Sequence, residues 1–216
     1  AGFRLGAAGL LVTDWGDMGH FNLPAGSLHG LALGAAMGWN PRGDKGIGFD
    51  RSFSLHALGD PSGKAAELFV KAGTTELAEW PLLILEPRGE SYPAATRQRA
   101  IRLAPACRNW SRRFAALRPS DWLRDTDIEE LAIAGEALYL NARRIRLEQS
   151  LAGARGKPAF LRRRIAVFLH ELEAFFRRFA KSWQRTSRPA GLKDLAGAFE
   201  QVSQKWRRLT EKAQDP

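Results

Sequence analysis

The sequence predicts a mainly α-helical chain: one strand–loop–helix unit at the front, then an antiparallel helical bundle. Three observations predict this. From residue 94 onward, apolar residues recur at steps of three and four, the period of a helix face. Before residue 50 the chain is instead rich in glycine, holding 12 of the 21 glycines. Charge divides the same way. Residues 1–50 hold 3 Lys/Arg against 4 Asp/Glu, whereas residues 151–216 hold 15 against 6.

Residues 8–13, Ala-Gly-Leu-Leu-Val-Thr, form a short apolar run without alternation, as in a strand buried on both faces. The run stops at Asp14-Trp15-Gly16-Asp17-Met18-Gly19-His20. Two carboxylates, a Trp and a His in such a loop suit a binding site at the carboxyl end of a strand. They equally suit a turn with Asp caps and a core Trp. Ser27 is placed to cap a helix from Leu28 to about Trp39, ended by Asn40-Pro41-Arg42-Gly43. That helix is nearly uncharged and small-residued, so it is expected to be buried, its glycines close to a sheet. His29 within it reads as a packed, hydrogen-bonded core residue.

Residues 50–73 read as two short helices, the second capped by Asp60 with Pro61 in its first position. The segment 74–92 is mixed, with the apolar Trp80-Pro81-Leu82-Leu83-Ile84-Leu85 inside it. A helix over about 94–117 is expected to be interrupted at Pro105. The next begins at a capping box, Thr126 with Glu129, shows Ile128, Leu131, Leu138 and Ile145, and ends at Gly153. Pro158 starts a third, with the stripe Leu161, Ile165, Phe168, Leu172, Phe175, Phe179 and Trp183. A fourth carries Leu192, Leu195, Phe199, Val202, Trp206 and Leu209 after the loop 187–191. Two consecutive stripes of this kind read as an antiparallel pair.

The 216 residues, 44% apolar and 26% charged, exclude a collagenous or wholly disordered chain. The single Cys107 excludes a disulfide framework and a multi-cysteine metal site. No apolar run reaches the roughly 18 residues of a membrane span. No zinc spacing, P-loop, GxGxxG or nucleophile elbow is present. The chain opens on Ala1 in a strand-like pattern, as if cut from something longer.

Gly9-Leu10-Leu11-Val12-Thr13-Asp14-Trp15-Gly16-Asp17 resembles the last barrel strand of glycoside hydrolase family 20, the β-N-acetylhexosaminidases. There the strand ends in Trp-Gly-Glu and leads to a small-residue helix closed by a Trp, here Leu33 to Trp39. A bacterial branch reads Thr-Asp-Trp-Gly-Asp-x-Gly-His, then His-Ala-Phe-Gly-Asp-Pro-Ser-Gly, then Arg-Pro-Gly-Gly-Leu. This chain has Thr13 to His20 complete, His56 to Gly63 with Leu58 for Phe, and Arg188 to Leu192 with Ala190 for Gly. Asp17 stands where the wider family has Glu, one methylene shorter.

The resemblance implies that the front is the last β/α unit of a (β/α)8 barrel. Residues 1–75 would then be the C-terminal fragment of a TIM-barrel catalytic domain, 76–93 a connecting segment and 94–216 a helical bundle domain. It implies a substrate-assisted mechanism, in which the sugar's 2-acetamido oxygen attacks its own anomeric carbon. The family's acid/base pair, Asp-Glu in a His-x-Gly-x-Asp-Glu context, is absent from this sequence. No catalytic residue is therefore assigned, and no metal or cofactor. The substrate-binding candidates are Trp15, walling the sugar pocket, and Asp17, accepting from the sugar's O4 and O6 hydroxyls, with Asp14 and His20 supporting the loop or lining the pocket. The implied partners are an N-acetylhexosaminide and the missing N-terminal part of the barrel, with no membrane. The compartment is left open, with a slight preference for the cytoplasm.

Two rival readings compete with this. One is a basic helical module binding nucleic acid or another polyanion, through Arg162, Arg163, Arg164, Arg177, Arg178, Lys181, Arg185, Arg207 and Arg208. The aromatics fall on the apolar stripes rather than among these residues, which offers no stacking platform and favours a solvated face over nucleic acid. The other is a structural module whose stripes mediate oligomerisation.

Overall fold

The computed structural model describes residues 2–14, 23–43, 47–73, 94–117, 125–152 and 158–212. Trp15, Asp17 and His20 lie outside the described residues, as do Trp80 to Leu85 and Gly153. Among the described residues the chain is helical: α1 Ala25–Trp39, α2 Ile47–Leu58, α3 Lys64–Gly73, α4 Ala94–Ala116, α5 Asp125–Ala152, α6 Pro158–Thr186 and α7 Ala190–Lys212. None of these is long and apolar enough to cross a membrane.

The two striped helices form as the spacing predicts. Every stripe residue of α6 from Leu161 to Trp183 is buried, and so are Leu195, Phe199, Val202 and Trp206 of α7. Their contacts run in opposite directions. Gly191 meets Trp183, Phe199 meets Phe175, Phe176 and Phe179, and Trp206 meets Phe168 at 5.4 Å between ring centroids. Each fully buried Phe or Leu stabilises the fold by roughly 1.5–3 kcal/mol relative to exposure.

Helix α5 packs antiparallel to α6 in a regular register. Glu129 pairs with Arg185, Glu136 with Arg178, Arg143 with Glu171, and Ser150 accepts a hydrogen bond from Arg164. Each step moves seven residues forward along α5 and seven back along α6, the heptad spacing of coiled-coil flanking pairs. Such half-exposed pairs are each worth about 0–1 kcal/mol, so they fix register more than stability. Arg185 also donates to Thr126 Oγ1 at 2.8 Å. Thr126 and Glu129 thus both serve Arg185, where the sequence predicted a capping box.

Helix α5 is the centre of the molecule, packing on α1, α3, α4 and α6. It is buried on several sides, at Ile128, Glu130, Leu131, Ile133, Ala137, Leu140, Arg144, Ile145 and Leu147 among others. Against α4 the backbones come close. A Cβ on Gly135 would stand 2.9 Å from the Ser111 nitrogen. Helix α4 runs unbroken through Pro105, whose interruption the sequence predicted. Pro105 is exposed, while Ala104, Cys107, Trp110 and Phe114 are buried. Packing along that face offsets the roughly 3 kcal/mol that an interior proline costs.

The front differs from expectation in two ways. Residues 7–14 are irregular and exposed, with Leu10 at 60% and Leu11 at 85%, so the expected strand at 8–13 is not formed. A strand needs a hydrogen-bonding neighbour, and among the described residues there is no other strand to supply one. Helix α1 begins three residues before the expected Leu28, with Pro24 in the capping position and making no side-chain cap of its own. It was expected to be buried, yet only Ala25 is, and Trp39 is 93% exposed.

The two short helices stand as read, and so does the stop at Asn40, whose N–H bonds the Ala36 carbonyl at 2.8 Å. Asp60 is the cap it was read to be, but α3 starts at Lys64 after a turn through Pro61. Leu68 of α3 and Ala25 of α1 share a cluster with Trp110 and Leu131, so α1 and α3 lean on α4 and α5.

Candidate functional site

The candidate loop is held at both ends. On one side, Val12 lies over α1 where Gly34 leaves room; a Cβ there would run into the Val12 side chain. Two residues on, Asp14 accepts a hydrogen bond from the Ser27 hydroxyl, in the first turn of α1. The Ser27 predicted to cap α1 therefore ties down the loop's entry instead. On the other side, Leu23 is buried in the α5–α7 core cluster. It lines an apolar cavity of about 70 Å³ with Phe175, Phe179 and Glu130. The candidates Trp15, Asp17 and His20 fall between these anchors, outside the described residues.

Glu130 joins the front to the back, a role that sequence reading missed. Its side chain is 1% exposed. Oε2 accepts the Ala25 N–H at 2.8 Å, and Oε1 accepts the Thr186 hydroxyl at 2.9 Å. The first N–H groups of a helix have no partner within it, and a carboxylate there also meets the positive end of the helix dipole. One side chain thus fastens the start of α1 and the end of α6 to α5. Burial pushes its pKa up, although the Ala25 and Thr186 hydrogen bonds oppose the rise. The available signal was its face: Glu130 shares a helical side with Ile133, Ala134 and Ala137.

The other two segments of the resemblance are structural turns. In His56 to Gly63, Gly59 and Gly63 take positive φ of 67° and 74°, which glycine adopts without strain. Between them Asp60 accepts the Ser62 N–H at 2.9 Å, the Ala65 N–H at 2.7 Å and the hydroxyls of Ser54 and Ser62. Burial alone would raise its pKa, but these hydrogen bonds together hold it below the ordinary value. At Arg188 to Leu192, the Trp183 indole donates to the Arg188 carbonyl at 2.9 Å. A Cβ on Gly191 would lie 3.3 Å from that ring.

His29 is the packed residue it was read to be. Its Nε2 is 2.8 Å from Asp50 Oδ1, and the rings of Phe49, Phe53 and Phe69 surround it at 5.0–5.4 Å. Cys107 is fully buried, and burial pushes its thiol up to about 12, so it is no nucleophile in the folded chain. Among the described residues no cluster of three or more His, Cys, Asp or Glu could hold a metal ion.

A groove of about 840 Å³ runs between α4, α5 and α6. Of the arginines that line it, Arg178 is matched by Glu136 and Arg185 by Glu129. On the far side of α6, Arg207 is matched by Glu173 and Glu200. Three of the residues read as a basic face are therefore neutralised within the fold.

No protein-family model, no curated protein and no solved structure matches this chain.

Proposed function

We propose that this chain is the C-terminal part of a glycoside hydrolase resembling the β-N-acetylhexosaminidases, supplying part of the sugar subsite for removal of a terminal N-acetylhexosamine. The observation that carries the reading is the complete segment Thr13 to His20, followed by a small-residue helix ending in Trp39. The surroundings of that segment support it. Leu10, Leu11 and Val12 are exposed beside α1, and so are Leu31 and Trp39. Exposed apolar side chains on this segment and its helix suit elements that further parts of a barrel would cover. In the finer reading, residues 8–39 are the last β/α unit of a (β/α)8 barrel, and the strand forms when its neighbours are present. The helices from residue 94 onward are then a C-terminal antiparallel bundle fastened to that unit.

The chemistry divides accordingly. The sugar's own acetamido oxygen is the nucleophile, and the acid/base Asp-Glu pair comes from another part of the barrel. Trp15 stacks on the C–H face of the pyranose. Asp17 accepts from two hydroxyls, which an ionised carboxylate can do at once. Asp14, tied to Ser27, positions the loop that carries them.

Kinetics of the full-length protein on an aryl N-acetyl-β-glucosaminide test this. Asp17→Ala is expected to lower kcat/KM roughly 30- to 1,000-fold, about 2–4 kcal/mol of transition-state stabilisation, because sugar hydroxyls lose a charged acceptor in a partly dry pocket. Trp15→Ala is expected to cost a comparable amount. Wild-type kinetics in either variant would refute the assignment.

A further inference from the structure

We propose that the cavity between α4, α5 and α6 is a binding site for a small ligand carrying condensed phosphate groups. The cavity has a volume of about 400 Å³ and continues the larger groove. It is lined by Arg108 and Arg112 of α4, Arg143 and Arg146 of α5, and Arg164 of α6, with Tyr139 between them. Among the described residues, no carboxylate lines it.

The contrast with the rest of the α5–α6 seam is what makes this a site. Along that seam each arginine meets a glutamate in heptad register, until the last step, where Arg164 meets Ser150. Among the described residues, Arg143 is the one arginine of the cavity that pairs with a carboxylate, Glu171, which reaches it from α6. Arg108 lies over the Tyr139 ring at 5.2 Å and Arg143 at 5.8 Å, which holds both guanidiniums in place. Arg164 is similarly held over Phe160 at 5.4 Å. Burial lowers the pKa of Arg143; Tyr139 opposes this, and the charges of Arg108 and Arg164 add to it. Like charges gathered in a concave site repel one another and cost stability unless an anion joins them.

The ligand class follows from geometry. Planar guanidinium forks match phosphate oxygens in pairs. Four guanidiniums that pair with no carboxylate among the described residues, on three helices around one small cavity, call for several negative charges on a short ligand. A condensed phosphate supplies these.

Titration calorimetry of the full chain with sodium tripolyphosphate, at about 0.1 M salt, tests the proposal. One molecule is expected to bind per chain. Arg112→Ala/Arg146→Ala, both exposed positions, is expected to weaken binding about tenfold or more. Arg177→Ala/Lys181→Ala removes the same charge elsewhere on α6 and is expected to leave affinity within about twofold. Arg112→Lys/Arg146→Lys keeps the charge and is expected to fall between the two. Far-ultraviolet circular dichroism checks that each variant keeps its helix. Equal losses in both alanine pairs, binding of several molecules per chain, or citrate binding as tightly as tripolyphosphate would overturn the proposal. So would a short DNA duplex that binds more tightly than tripolyphosphate and is lost in the same variant, since the surface would then serve nucleic acid.

Discussion

Glu130 offers the sharpest test of how the front is held to the back. Replacing it with alanine removes acceptors for the Ala25 N–H and the Thr186 hydroxyl. Hydrogen bonds to a charged group contribute about 1.5–3 kcal/mol each, and relief of a buried charge offsets part of that loss. The expected net cost for Glu130→Ala at neutral pH is about 2–4 kcal/mol, seen as a fall of roughly 5–15 °C in Tm for a chain of this size. Glu130→Gln behaves differently. Its carbonyl can still accept from Ala25, and its amide can donate to Thr186, whose own hydroxyl also lies 3.4 Å from the Ser182 carbonyl. The carboxyl's pKa is raised in the folded chain, so the folded state holds its proton after the unfolded state has lost it. Stability from this group is therefore present below the unfolded value of about 4.3 and is lost as pH rises through the folded one. The difference in stability, Glu130→Gln minus wild type, should thus become more positive from acid to neutral pH. Urea unfolding followed by circular dichroism across that range measures it. A difference that stays flat, or a Gln variant as unstable as the Ala variant, would refute this role of Glu130.

Two other predictions concern packing. Gly135→Ala is expected to destabilise the chain by about 1–3 kcal/mol in thermal unfolding, because the new methyl meets the α4 backbone at Ser111. In hydrogen exchange of the chain alone, amides at 165–183 and 195–206 are expected to be the slowest and those at 7–14 fast, and the same sample should show no hexosaminidase turnover.

The back of the chain was legible because α6 and α7 each bury one face. Leu161 to Trp183 and Leu195 to Trp206 keep the three–four step that a one-sided helix requires. Helix α5 was only half legible. It is packed on several sides, so burial at Ile128, Ile133, Ala137 and Ile145 blurs into no single stripe. Glu130 was hidden for the same reason: next to Glu129 it looked like part of a helix start, and only the arrival of Ala25 and Thr186 gives it work. At the front, local pattern pointed to a strand at 8–13 and a buried helix after it. Both are tertiary properties, set by neighbours that periodicity in this segment cannot supply. The cap at Asp60 was better served, since what it needs is local: the N–H groups at the start of the helix that follows.

The central claim is that the substrate's own acetamido group does the nucleophile's work, in a barrel to which this chain contributes Trp15 and Asp17. The most direct measurement compares the full-length protein on two aryl glycosides, one with the 2-acetamido group and one with a 2-hydroxyl in its place. The account predicts turnover of the N-acetyl-β-glucosaminide and none above background for the β-glucoside. Equal turnover of both, or of neither, would contradict it.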